Sequence, residues 1–171
     1  MGRRITITPK AIGILISILI LVLSVAALIN YDSVRYNQEE RISIYIDGKE
    51  SVTFAISELE QMKVVTVETE FSSQNSKDEK GVWQGVMAVE LLKQAGVNKG
   101  EYNTLVFSAS DGYSVAAETK EAGEILISWK KDGKLLADSD EGGDGPVRCI
   151  FIKDVFGQRN IANVIKIDCI P

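Results

Sequence analysis

The 171-residue chain has no histidine. That absence removes Ser-His-Asp and Cys-His catalysis and the common histidine zinc sites. It has only two cysteines, Cys149 and Cys169, so a four-thiolate zinc site is excluded too. Positive charge is scarce beyond the first ten residues. The 19 basic side chains less Arg3, Arg4 and Lys10 leave 16 against 24 acidic ones, a net charge of −8. Such a surface repels nucleic acid and anionic lipid headgroups, and no nucleic-acid partner is expected.

At 45% hydrophobic and 25% charged residues, the composition suits one globular domain plus a small addition. The addition is Ala11–Ile29, nineteen uncharged residues interrupted only by Ser17 and Ser24. As a helix it would span roughly 28 Å, close to the hydrocarbon core of a bilayer. Arg3, Arg4 and Lys10 precede it, which favours a cytoplasmic N-terminus and an extracytoplasmic remainder. The rival is a cleaved signal peptide ending near Ala26, but the apolar run is longer than the ~7–15 residues usual in signals. An uncleaved single-pass anchor is the expectation, with residues 1–10 cytoplasmic and 30–40 a polar stalk. Residues 41–171 then form an extracytoplasmic domain large enough to bury a core without staples.

Within that domain, Ile42, Ile44 and Ile46 alternate before Asp47-Gly48, and a second alternating run follows. This is the pattern of a β-hairpin with a primed turn. Ser57 and Glu60 have capping-box spacing and predict a short helix. A strand is expected over "KVVTVETEF". After a polar run from Ser72 to Lys80, Ala88, Leu91, Leu92 and Ala95 form a helical stripe that Gly96 ends. "NTLVFSAS", "YSVAAE", "EILISWKK", "VRCIFIK" and "NVIKIDCI" read as strands, with turns at Asp111-Gly112 and Asp132-Gly133. Many strands with few short helices predict an α+β domain with a mixed, mostly antiparallel sheet.

Several clusters carry candidate chemistry. Asp138, Asp140, Glu141 and Asp144 supply hard oxygen ligands for calcium, but position 12 of that loop is Cys149 rather than an EF-hand glutamate. A solvated, glycine-rich loop is the plainer reading. If the last two strands are neighbours, Cys149 and Cys169 face each other as a possible disulfide; otherwise they are two buried thiols. Trp83, Tyr113 and Trp129 are either pocket walls or core. Arg148, Lys153 and Arg159 either bind an anion or balance the acidic loop.

The order of motifs from Trp83 onward adds to this. W-x-G-V leads into a Leu-Leu helix and Ala95-Gly96-Val97. S-D-G-Y-S follows at Ser110–Ser114, D-G-K-L-L at Asp132–Leu136, G-P-V-R at Gly145–Arg148, and a last strand after Asn163-Val164. This succession resembles the molybdopterin-binding domain of the sulfite oxidase family in its small single-domain form, over roughly residues 42–170. The resemblance implies a strand-rich α+β fold, a molybdenum–pterin cofactor and redox chemistry on small oxyanions, sulfoxides and related groups. It also implies a cysteine ligand to the metal in the loop before W-x-G-V. Here that loop reads "FSSQNSKDEKG", with Ser72 or Ser73 near the expected place and no cysteine. By the same resemblance Ser73, Trp83, Asp111, Tyr113 and Arg148 line a cofactor or ligand pocket.

Three functional readings follow. The first is a non-catalytic binding domain that takes a small ligand or a membrane protein partner. The second is a molybdopterin oxidoreductase with atypical metal ligation. The third is a structural or adhesive module. The missing thiolate and histidines favour the first over the second.

Overall fold

The computed structural model describes residues 18–24, 41–71, 79–98, 100–137, 143–154 and 157–171. The chain divides into two units, Met1–Glu39 and Glu40–Pro171. In the first, residues 18–24 are helical, and the Ser24 hydroxyl donates to the Ile20 carbonyl at 2.8 Å. The expected anchor over 11–29 and the stalk over 30–40 otherwise lie outside the described residues. Among those described, no helix is long and apolar enough to cross a membrane.

The second unit is a strand-rich, mixed-sheet α+β domain. Strand β1 (Arg41–Ile46) buries Ile42 and Ile44 and turns into β2 (Lys49–Ala55) through Asp47 and Gly48. Those two residues have φ of 51° and 74°, the primed geometry that matches strand twist. Helix α1 (Ile56–Leu59) follows. Its cap lies two residues earlier than the Ser57–Glu60 spacing suggests: the Glu58 carboxylate accepts from the Ala55 N–H at 2.8 Å. Ser57 therefore lies inside the helix. Strands β3 (Val64–Phe71) and β4 (Glu79–Met87) form a hairpin that leads straight into helix α2 (Ala88–Gln94). The helix buries Ala88, Leu91 and Leu92 and ends at Gly96, φ 77°. Next come β5 (Thr104–Ala109), β6 (Ser114–Glu118) and a 3₁₀ turn (Thr119–Glu124). The last elements are β7 (Ile125–Lys131), β8 (Lys134–Leu135), β9 (Arg148–Phe151) and β10 (Val164–Ile170).

Two sheets result. The first has the order β2-β1-β10-β5-β6, with β1 parallel to β10 and the other pairs antiparallel. The second has the order β3-β4-β7-β8, and β9 pairs with β7 beside β8. Phe107 of β5 meets Phe151 of β9 edge to face at 5.9 Å, which ties one sheet to the other. Strand β7 is buried from Ile125 to Trp129 without alternation, as expected of a strand covered on both faces. The second sheet carries its own cluster of Phe71, Trp83, Leu126 and Ile150. Burial contributes about 1.5–3 kcal/mol for each such side chain.

The topology corrects the expected pairing of the last two strands. β9 lies in the second sheet against β7, and β10 lies in the first between β1 and β5. The chain between them crosses from one sheet to the other instead of forming a hairpin. Cys149 faces Ile127 and Ile161, and Cys169 faces Leu105 and Ile46. Both thiols are free and buried, so the possible disulfide is replaced by the two-thiol alternative.

Glycines of the recognised motifs have steric tasks. At Gly85, the glycine of W-x-G-V, a Cβ would overlap the Ile127 carbonyl oxygen and lie 2.7 Å from Ser128 Cα. The β4–β7 register shifts between Gln84 and Gly85, where the β7 backbone occupies the space of a Cβ. At Gly145, the glycine of G-P-V-R, φ is 100°, and a Cβ would overlap the Asn163 side-chain oxygen.

Two outcomes are expected. Gly85→Ala forces β4 away from β7 and destabilises the domain by about 3 kcal/mol, read as a lower urea midpoint, whereas Gly123→Ala, whose Cβ meets nothing within 4 Å, leaves the midpoint nearly unchanged. Without reductant, a thiol reagent titrates no cysteine in the native chain and both after unfolding, and reductant leaves the melting temperature unaltered.

Candidate functional site

The tip of the β3–β4 hairpin holds the cysteine-free loop. Phe71 and Glu79 are the last paired residues before it, and residues 72–78, including Ser72 and Ser73, lie outside the described residues. Glu79 and Lys80 already belong to β4, so the polar run is partly strand. At this end of the sheet Glu79 faces two cations. It accepts from Arg148 Nη1 and Nη2 at 3.0 and 2.8 Å and from Lys131 Nζ at 2.5 Å. Arg148 Nη1 also donates to Asp144 at 2.6 Å. Both cations lie against the Trp83 ring, Lys131 Nζ at 4.7 Å and Arg148 Cζ at 5.0 Å from its centre.

Strand order explains this convergence. Trp83 pairs with Lys131 across β4–β7, and Arg148 pairs with Ser128 across β7–β9. The three strands thus deliver an indole, an ammonium and a guanidinium to one end of the sheet. Burial alone would raise the Glu79 carboxyl, but hydrogen bonds and charge from Lys131 and Arg148 outweigh it and hold the group below its ordinary 4.5. The Arg148 side chain is only 12% exposed, so its pairing is less screened than a surface bridge. Trp83 Nε1 and Arg148 Nε, by contrast, are buried donors with no partner among the described residues.

Of the five pocket residues expected by resemblance, Trp83 and Arg148 are in contact. Asp111 and Tyr113 sit on the β5–β6 turn of the other sheet, where the Asp111 carboxylate accepts from the Tyr113 N–H at 2.9 Å. That is turn chemistry. The turn nevertheless lies close to the Arg148 segment. The Ser110 N–H donates to the Asn163 carbonyl, and the Asn163 N–H to the Asp144 carbonyl. Among the described residues, no hydrogen bond or ion pair joins Asp111 or Tyr113 to Trp83 or Arg148. Trp129, the other aromatic considered, is core, and its indole N–H donates to Glu60 at 3.3 Å.

The remaining charged candidates are also accounted for. Arg159 is held by Asp154 and Glu121 and lies over Phe151, and Lys153 pairs with Glu124. Of the four acidic residues weighed as calcium ligands only Asp144 is described, and it is committed to Arg148. No group of three or more metal-ligating side chains occurs among the described residues.

The pattern of the family described as "Oxidoreductase molybdopterin binding domain" matches residues 31–170. The chain belongs to that family. Its fold is similar to that of the sulfane dehydrogenase SoxCD from Paracoccus pantotrophus, with a TM-score of 0.65 and 15% identity. The similarity covers 78% of this chain and 39% of that one, so the chain spans well under half of its structural relative. No curated protein matches it in sequence.

A molybdenum–pterin group would need a thiolate for the metal and free cations for its phosphate. Among the described residues, this domain does not fit that donor set. Cys149 is fully enclosed in β9, and burial pushes its thiol well above the ordinary range. Cys169 is enclosed in β10 and is pushed to about 11, chiefly by burial. Arg148, Lys131 and Arg159 are each neutralised by carboxylates of the chain itself.

Sequence reasoning missed Glu79 and Lys131. Neither is distinguished locally, and their meeting depends on strand pairings 52 residues apart. Glu79→Gln should cost about 2 kcal/mol at pH 7, because Arg148 and Lys131 lose their shared charged acceptor. Since the Glu79 carboxyl is depressed in the folded state, the difference is full above about pH 4.5 and closes as pH falls through the folded value. Urea unfolding of both proteins between pH 7 and pH 3 measures it.

Proposed function

We propose that this chain is a non-catalytic binding domain on the molybdopterin-binding scaffold, anchored by residues 11–29 to the extracytoplasmic face of a membrane. The observation that supports the reading is the closure of Glu79 onto Arg148 and Lys131 beside a loop without cysteine. In this family's chemistry an anionic cofactor needs positive charge and the metal needs a soft ligand. At this end of the second sheet the charges of Lys131 and Arg148 are spent internally, and both thiols of the chain are enclosed. The scaffold is thereby kept while the means of holding the redox group are given up. The domain would instead take a small organic ligand or a partner protein. The net charge of −8 beyond the first ten residues argues against nucleic acid.

The full chain, exported in a host that makes molybdenum cofactor, tests this. Metal is measured by mass spectrometry and pterin by fluorescence after oxidation, on a sample shown to unfold cooperatively. Neither should be found above trace level. One molybdenum and one pterin per chain would overturn the proposal and make Ser72 or Ser73 the metal ligand to examine first.

A further inference from the structure

A second site lies at the far end of β7. Glu79 and Lys131 meet where β4 begins and β7 ends. At the other end β4 runs into α2, and the 3₁₀ turn runs into β7. The seven residues of β7 separate the two places by roughly 20 Å. There one flank of α2, the segment that follows it and the 3₁₀ turn line a cleft of about 690 Å³. That volume is in the range of small-molecule sites.

Its chemistry is specific enough to name a ligand class. Val89, Leu92, Val97, Tyr102 and Ala122 make its walls mostly apolar. Val89 is 49% exposed, a large aliphatic left open on the flank of a helix. Thr119 lines one wall, and among the described residues its hydroxyl, itself enclosed, has no hydrogen-bond partner. Lys93 and Lys120 stand at the rim. Lys93 makes no ion pair among the described residues, and Lys120 has only an exposed pair with Glu118, which contributes little. Two ammonium groups against one carboxylate leave the rim positive in a domain that is otherwise acidic. Gly123 also lines the cleft, and a Cβ there would meet nothing, so the space beside it is open.

We infer that this cleft binds a small amphipathic anion, an apolar body seated on Val89, Leu92 and Ala122 with a carboxylate held by Lys93 and Lys120. The inference rests on the reading of the domain as a binding module and gives that module its ligand class.

The test titrates the full chain with 4-phenylbutyrate and, separately, with 4-phenylbutanol, following heat of binding and melting temperature. Phenylbutyrate should bind saturably and raise the melting temperature, and the alcohol should bind about tenfold more weakly. Gly123→Leu, which fills open space, should abolish binding of both while the protein still unfolds cooperatively. Lys93→Gln with Lys120→Gln should remove the preference for the carboxylate and leave alcohol binding unchanged. Absence of saturable binding, equal binding of acid and alcohol to the native chain, or undiminished binding to the Gly123→Leu protein would overturn the inference. Molybdenum and pterin are measured on the same sample. A cofactor-loaded chain that still binds phenylbutyrate refutes the non-catalytic reading and keeps the cleft. A cofactor-free chain that does not bind it refutes the cleft alone.

Discussion

Strand β7 is hydrogen-bonded along both edges, to β4 on one side and to β9 and β8 on the other, and its first five residues are buried on both faces. A strand in that position tolerates almost no displacement, because any shift breaks two ladders and two packed faces at once. The rest of the domain takes its coordinates from it. Its final lysine reaches the Trp83 ring, and its Ser128 sets Arg148 beside that ring. Its first residues follow directly from the 3₁₀ turn that walls the cleft. Ser128, the polar member of the run, is satisfied by the carbonyls of Gln84 and Lys130, so its complete burial leaves no orphaned hydroxyl.

The family motifs divide into scaffold and site on physical grounds. Gly85 and Gly145 are required because backbone or side-chain atoms occupy the space of a Cβ. Asp111 and Gly112 make a turn, with the carboxylate capping the Tyr113 N–H. These reasons hold whether or not a cofactor is bound. Arg148 is different. A guanidinium with three charged hydrogen bonds to carboxylates is a costly way to brace a sheet end, since both partners give up hydration.

The two ends of the second sheet therefore differ in character. One is a dense polar network over an indole, already matched in charge. The other is an apolar cleft with lysines that have little else to hold. The unspent charge of this sheet therefore lies at its α2 end.

Much of this was written locally in the chain. Alternation of isoleucines in β1, the Asp-Gly turns, the Leu91-Leu92 stripe of α2 and its Gly96 stop are short-range patterns, and the structure follows them. The absence of histidine and of a cysteine in the loop could be read without any fold. Helix α1 began where the Glu58 carboxylate could reach back to Ala55, although the sequence offered Ser57 and Glu60 at the same spacing; tertiary packing of Ile56 and Leu59 chose between them. Strand partnership was beyond local pattern altogether. Two apolar runs with a cysteine each look like a hairpin, yet β9 and β10 go to different sheets, because β10 completes a parallel pair with β1 at the far end of the chain. Such long-range pairing is decided by which faces can be buried together, a property of the assembled sheets and of no single segment. The meeting of Glu79 with Arg148, the separation of the cysteines and the cleft beside α2 all follow from that choice, so only the tertiary structure could decide them.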